Sequence, residues 1–160
     1  MKKIVHLLIL AVLFNFLNSC GYSPIFKTEN LKFHVVEYSL DGNEKVGNKI
    51  LSNIKRYSDE SDANAEKLSF LINSSQKKEA ISKDSSGKIL EYKITLKVSF
   101  QIINLTANNA SFNNNIVQST NFTVREQYSE TLNSEKKAFN NLIQKISQEI
   151  FLSISQIIQT

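Results

Sequence analysis

Tryptophan is absent from this 160-residue chain, cysteine and proline occur once each, and glycine occurs four times. One cysteine excludes an internal disulfide and a cysteine-built metal centre, so an apolar core has to hold the fold. No glycine-rich loop is present to cradle a phosphate. Histidine is as scarce: beyond the first 20 residues only His34 remains, inside an alternating, strand-like stretch where a solvent-facing strand residue is the simplest reading. No His/Cys/carboxylate cluster has metal-ligand spacing, and no nucleophile motif stands behind the serines. The chain is therefore expected not to be an enzyme, with no catalytic residue, no metal and no dissociable cofactor. Charge of one sign is lacking too. Setting aside Lys2 and Lys3 leaves 17 of the 19 basic residues against 15 acidic ones, too even for a nucleic-acid binder. Positive potential, if it is used, has to come from local clustering.

What is present begins at the N-terminus. Met1-Lys2-Lys3 precedes an apolar run from Ile4 to Leu17, interrupted by His6 and Asn15. The run falls short of the roughly 20 residues that a membrane-spanning helix needs, and two lysines ahead of it make a secretory signal peptide. Leu17-Asn18-Ser19-Cys20 then reads as a bacterial lipobox, with Leu at −3, Ser at −1 and Cys at +1. Asn18 is unusual at −2. The competing reading is an ordinary signal peptide with a chance cysteine, but the only cysteine of the chain stands where lipidation requires it. Cys20 is expected to carry a diacylglycerol and an N-acyl chain. Residues 1–19 are then a lipoprotein signal peptide, residues 20–30 a lipidated lead-in broken by Pro24, and residues 31–160 one domain.

Periodicity organises that domain. Leu31, Phe33 and Val35 alternate with Lys32, His34 and Val36 as a first strand. Asp41-Gly42-Asn43 breaks the alternation and supplies capping side chains, after which Val46, Ile50, Ile54 and Tyr57 form the stripe of a helix. The acidic stretch from Ser58 to Asn64 is a loop. Leu68, Phe70 and Ile72 mark a second strand, followed by a polar hairpin end over Ser74–Lys88 with its turn at Asp84-Ser85-Ser86-Gly87. The strongest signal comes next: Leu90, Tyr92, Ile94, Leu96, Val98, Phe100 and Ile102 all fall on even positions with polar residues between. Such a strand has one apolar and one wet face, as in a one-sided antiparallel sheet. Thr106–Ser111 turns the chain, with Asn108 and Asn109 suited to left-handed backbone. A fourth strand is expected over about Ile116–Tyr128, its first half leaving the core because Gln118 and Thr120 occupy the apolar parity. A closing helix of about 24 residues, capped near Asn133-Ser134, carries Phe139, Ile143, Ile146, Ile150, Ile154 and Ile157. The order β-α-β-β-β-α predicts an α+β two-layer sandwich, a four-stranded sheet covered on one face by two helices.

Several short stretches carry a family resemblance. Cys20-Gly21-Tyr22-Ser23-Pro24-Ile25-Phe26 is close to the "CGF-x-P-L-Y" start of many members of the lipopolysaccharide-assembly lipoprotein family, LptE. Ser86-Gly87-Lys88-Ile89-Leu90-Glu91-Tyr92 is similar to that family's turn and "E-Y" strand entry, and Val124-Arg125-Glu126-Gln127-Tyr128 resembles its "R-x-x-Y" strand ending before the last helix. In element order the resemblance spans the whole mature chain. It implies a non-catalytic outer-membrane lipoprotein, held by its lipid in the inner leaflet and facing the periplasm and the lumen of a large LptD-type β-barrel. There it would plug the barrel and assist lipopolysaccharide assembly into the outer leaflet. Gly21 after the cysteine, in place of aspartate, agrees with outer-membrane sorting.

On that reading Lys77, Lys78, Lys83 and Lys88 are candidates for lipopolysaccharide binding, since ammonium groups suit lipid phosphates. Solvated hairpin lysines would look the same in sequence. Lys93, Lys97 and Arg125 are candidates for the partner-facing side of the sheet, where a large barrel presents a polar interior. The alternative is a free-standing, periplasm-facing lipoprotein that binds a ligand or envelope protein through its open sheet face. Nucleic acid is expected in neither case.

Overall fold

The computed structural model describes residues 31–158; the signal peptide, the lead-in and Cys20 lie outside the described residues. Strand β1 (Phe33–Gly42) leads through helix α1 (Glu44–Lys55) to strand β2 (Glu66–Lys83). Strands β3 (Ile89–Asn104) and β4 (Ala110–Thr123) follow, and helix α2 (Tyr128–Ile158) ends the fold. The sheet order is β1-β2-β3-β4, with β1 parallel to β2 and the remaining pairs antiparallel. Both helices cover the same face: α1 lies over β1 and β2, α2 over β3 and β4, and the two helices touch. The expected α+β order and two-layer sandwich are what the chain forms.

The core follows from alternation. Ile94, Leu96, Val98, Phe100 and Ile102 of β3 are all buried, and so are Leu68, Phe70 and Ile72 of β2. Ile146, Ile150 and Ile154 of α2 close over them with no exposed surface, while Val46, Ile50 and Ile54 of α1 do the same on the other half. Each of these residues recurs at the spacing that its element demands, two in a strand and three or four in a helix.

The junction before α1 is tightly built. Gly42 has φ +76°, and the Asn43 side chain accepts the Val46 N–H at 3.1 Å, capping the helix. Ser74 of β2, almost fully buried, receives the Asn43 N–H on its carbonyl at 2.7 Å and donates its hydroxyl to the Asn43 carbonyl at 2.9 Å. A polar residue on the apolar parity of β2 is thereby satisfied by the chain crossing above it.

Four boundaries depart from the sequence reading. First, β2 does not end near Asn73 but runs on through the polar hairpin end to Lys83, because β3 offers paired backbone as far as Ile89. Second, β4 begins at Ala110 and takes in Asn113, Asn114 and Asn115; only Asn108 and Asn109, at φ 50° and 58°, make the left-handed turn. Third, Gln118 and Thr120 stay on the helix-covered face rather than leaving the core, since Gln118 donates its side-chain amide to the Glu149 carboxylate of α2. Fourth, α2 spans 31 residues rather than about 24, starting at Tyr128. Tyr57, placed in the α1 stripe by spacing, lies beyond the helix end and packs edge-on against Phe151 at 4.8 Å.

Two substitutions test this account by chemical denaturation. Ile146→Ala, which opens a cavity beneath α2, is expected to cost about 2–5 kcal/mol. Gly42→Ala is expected to cost about 1–3 kcal/mol through backbone strain, because its Cβ would meet the Ser74 carbonyl oxygen and no side chain can yield there. A wild-type midpoint for either variant would show that the junction or the core is not built as described.

Candidate functional site

At the end of the sheet marked by the β2–β3 turn, the strands outrun the tightly packed core. Tyr92 of β3 and Phe122 of β4 are cross-strand neighbours whose rings stack at 5.5 Å with 20° between planes. Lys78 of β2 extends over both, its Nζ 4.6 Å from the Tyr92 ring centre and 5.1 Å from that of Phe122. The same ammonium donates to Glu135 Oε2 of α2 at 2.7 Å. Lys78 thus sits on the helix side of the sheet, its stem on aromatic rings and its charge held by α2, an arrangement that suits an amphipathic side chain.

Beside this lysine opens a cleft of about 540 Å³. Lys88 and Ile89 line it from the hairpin, Arg125 from the β4–α2 connection, and Tyr128, Leu132 and Glu135 from the first turns of α2. Tyr128 and Leu132 are 76% and 45% exposed, and Ile81 and Leu90 add exposed apolar surface at the same end of the sheet. Among the described residues neither Lys88 nor Arg125 has an ion-pair partner. The arrangement combines an apolar floor, the cations of Lys88 and Arg125, the carboxylate of Glu126, and Lys78 already engaged by Glu135. Such a surface can take an amphiphile that carries phosphate or another anion beside apolar chains.

Local hydrogen bonds hold the cleft's two rims. In the hairpin turn Asp84 Oδ1 accepts the Ser86 hydroxyl at 2.7 Å and the Ser86 and Lys88 N–H groups at 2.9 Å, while Gly87 takes φ +85°. The Ser86 hydroxyl, with the two N–H groups behind it, holds the Asp84 carboxyl below its ordinary range. On the other rim Thr131 Oγ1 accepts the Arg125 N–H at 2.8 Å, tying the connection to the start of α2.

The sequence-derived lysines do not share one tip. Neighbours along a strand point to opposite faces, so Lys77 and Lys78 are separated by the sheet itself. Lys77 lies on the open face, where its Nζ donates to Glu79 Oε1 at 2.7 Å. That hydrogen bond first, with the charges of Lys77 and Lys93 behind it, holds the Glu79 carboxyl below its ordinary range. Lys83 ends β2 and does not line the cleft. Of the four, Lys78 and Lys88 come together there. Lys93 and Lys97 occupy the open face as their parity demands, in register with Asn121 and Val117. Arg125 does not: β4 stops at Thr123, so the arginine sits in the connection and joins the cleft rather than the sheet face. Sequence reasoning missed Glu135 and Leu132. Their signal was available, because Tyr128, Leu132, Glu135 and Phe139 continue the spacing of four and three backwards from the apolar stripe of the last helix.

The open face holds a second concavity of about 520 Å³, lined by uncharged Ser39, Asn73, Ser99, Gln101, Asn113 and Asn115 with the single carboxylate of Asp41. Asp41 accepts the Asn73 side-chain amide at 2.7 Å and the Gly42 N–H at 2.8 Å. Among the described residues no three His, Cys, Asp or Glu side chains are placed to hold a metal ion, and no helix is long and apolar enough to cross a membrane.

Solved structures share this architecture. Uncharacterized lipoprotein B from Nitrosomonas europaea aligns over 75% of this chain and 81% of its own, at 16% identity and a TM-score of 0.52. The minor lipoprotein from Acinetobacter baumannii aligns over 79% of this chain and 93% of its own, at 14% identity and a TM-score of 0.53. The chain shares the fold of these lipoproteins. No protein-family model and no curated protein matches the sequence. The cleft therefore belongs to a sheet-and-helix scaffold shared with these lipoproteins, with the β2–β3 turn and the first turns of α2 as its rims.

Two measurements test the rims. A double-mutant cycle on Lys78 and Glu135 should return a coupling of about 0.5–1 kcal/mol, and Lys78→Ala should speed amide exchange over residues 128–134. Because the Asp84 carboxyl is depressed in the folded chain, its support of the turn is present above 3.8, its ordinary value, and is lost as pH falls through the depressed one. Amide shifts of Gly87 and Lys88, followed by NMR between pH 6 and pH 2, should therefore move only at the acid end, and Asp84→Asn should flatten that response.

Proposed function

We propose that this chain is an outer-membrane lipoprotein, anchored through lipid on Cys20, that assists a large β-barrel in assembling lipopolysaccharide and binds lipopolysaccharide in the cleft at the hairpin end. The observation that carries this reading is the pairing of Lys88 and Arg125, both without ion-pair partners among the described residues, with exposed Tyr128 and Leu132 on an LptE-like fold. Lipid A offers phosphates to the cations and acyl chains to the apolar surface. The role is one of binding and plugging, without catalysis and with no cofactor beyond the covalent lipid. The open sheet face, with Lys93 and Lys97, is the side that would meet a polar barrel lumen. Its shallow amide-lined concavity favours, as the second reading, a free-standing lipoprotein that binds a periplasmic ligand there.

Lipopolysaccharide binding by the purified chain separates these readings at the level of residues. Lys88→Glu combined with Arg125→Glu should weaken binding about tenfold or more at low salt, whereas Lys77→Glu with Lys83→Glu should have the smaller effect. Equal binding by all variants would remove the cleft as the site. Detergent extraction from the host with the chain as bait should recover a large outer-membrane barrel, and depletion should impair lipopolysaccharide export. Recovery of no barrel would leave the second reading standing.

A further inference from the structure

The outer edge of β4 has no partner strand among the described residues, and it lacks the features that keep sheet edges from associating. The opposite edge shows what such protection looks like. In β1 the register slips between Val35 and Glu37, which bends the strand. The Val35 N–H is taken by the Ser58 hydroxyl at 3.0 Å, and the Phe33 carbonyl accepts the Asp59 N–H at 2.9 Å. Glu37 and Asp41 add charge. By contrast β4 runs 14 residues with no charged side chain and no proline, and its register with β3 is unbroken.

The phase of its backbone is set by one hydrogen bond. Val124 donates to the Leu90 carbonyl at 2.8 Å, so even-numbered residues of β4 bond to β3. Odd-numbered residues, from Ser111 to Thr123, direct both main-chain groups outward, and of these the Asn115 N–H is taken by the Asn114 side-chain oxygen at 2.7 Å. Val117 is the midpoint of that outward row. At 60% exposure it is more exposed than any other large aliphatic side chain among the described residues.

We propose that β4 pairs antiparallel with β4 of a second copy of this chain, about a twofold axis at Val117. In this register Val117 meets its own counterpart, Asn115 meets Ser119, Asn113 meets Asn121 and Ser111 meets Thr123. An apolar pair lies at the axis, amide and hydroxyl pairs flank it, and no like charges are opposed. The outward N–H and C=O groups of both copies are satisfied together, the Asn115 N–H exchanging the Asn114 side chain for the partner strand, giving one continuous eight-stranded sheet. Composition argues for this occupant over a charged one, because the strand that best complements an uncharged Asn- and Ser-rich edge is another of the same kind. The inference stands apart from the proposed lipopolysaccharide role and does not depend on it.

Sedimentation of the full chain in detergent tests it. A concentration-dependent dimer is expected, and Val117→Lys, which places two ammonium groups at the axis, should raise its dissociation constant about tenfold or more. Ser119→Pro, which deletes an outward N–H on an edge strand, should do the same. Both substitutions lie on the exposed side of the strand, so an unchanged circular-dichroism spectrum is the control for folding. In a Cys20→Ser background, Val117→Cys should be joined into a covalent dimer by a short bis-thiol reagent, and Ser85→Cys, in the β2–β3 turn, should not. A chain that stays monomeric up to about 100 µM, or a dimer indifferent to both edge substitutions, overturns the proposal. So would equally ready cross-linking through Ser85→Cys.

Discussion

Burial of one face of the β2–β3 hairpin is the constraint on which the remaining structure depends. Ile94, Leu96, Val98, Phe100 and Ile102 stand side by side with Leu68, Phe70 and Ile72, and a stripe of that length cannot be left in water. One long helix can cover it, and α2 does so with Phe139, Leu142, Ile143, Ile146, Ile150 and Ile154. The parallel crossover from β1 through α1 to β2 completes the cover, since a right-length helix between two parallel neighbours returns the chain to the same sheet. With no disulfide possible among the described residues, this single two-layer contact carries the stability of the domain.

The cleft arises where that cover runs out. Beyond Ile94 the strands continue, and the side chains toward the helix become Tyr92, Phe122 and Lys78: Phe122 still belongs to the core, Tyr92 packs against it partly buried, and Lys78 ends in a charge. The start of α2 projects over this region with Tyr128 and Leu132 exposed rather than buried. A continuous core would have left no opening. An ammonium on two stacked rings, held by a carboxylate from the helix, forms one wall of the cleft, with Lys88 and Arg125 lining it beside apolar surface.

The face away from the helices obeys a different requirement. Its residues are polar because nothing in the domain covers them, yet they are mostly uncharged amides and hydroxyls, with charge at Lys67, Lys77, Glu79, Glu91, Lys93, Lys97 and the β1 side. Neutral polar surface is cheaper to bury against another polypeptide than charged surface. The guarded edge at β1 and the unguarded edge at β4 give the sheet a direction in which it can grow.

Sequence alone determined the elements with strong periodicity: the seven-fold alternation that became β3, the stripes of both helices, the Asp84–Gly87 turn, and the β-α-β-β-β-α order that makes an α+β sandwich. Each rests on local geometry, because a period of two or of 3.6 sets which face a residue takes regardless of its partner. Only the tertiary structure decided where polar stretches belong. Ser74, Gln118 and the Asn113–Asn115 run read as loop or frayed strand by composition, yet each is strand because a neighbouring backbone is there to pair with, and for Ser74 and Gln118 a distant carbonyl or carboxylate satisfies the side chain. The candidate site shows the same division. Lys77, Lys78, Lys83 and Lys88 are close in the chain but dispersed by the pleat, while Lys78 and Lys88 meet Arg125, distant in sequence, where the hairpin and the last helix converge. Charge clusters in a sequence are one-dimensional, and pairing register alone converts them into a surface.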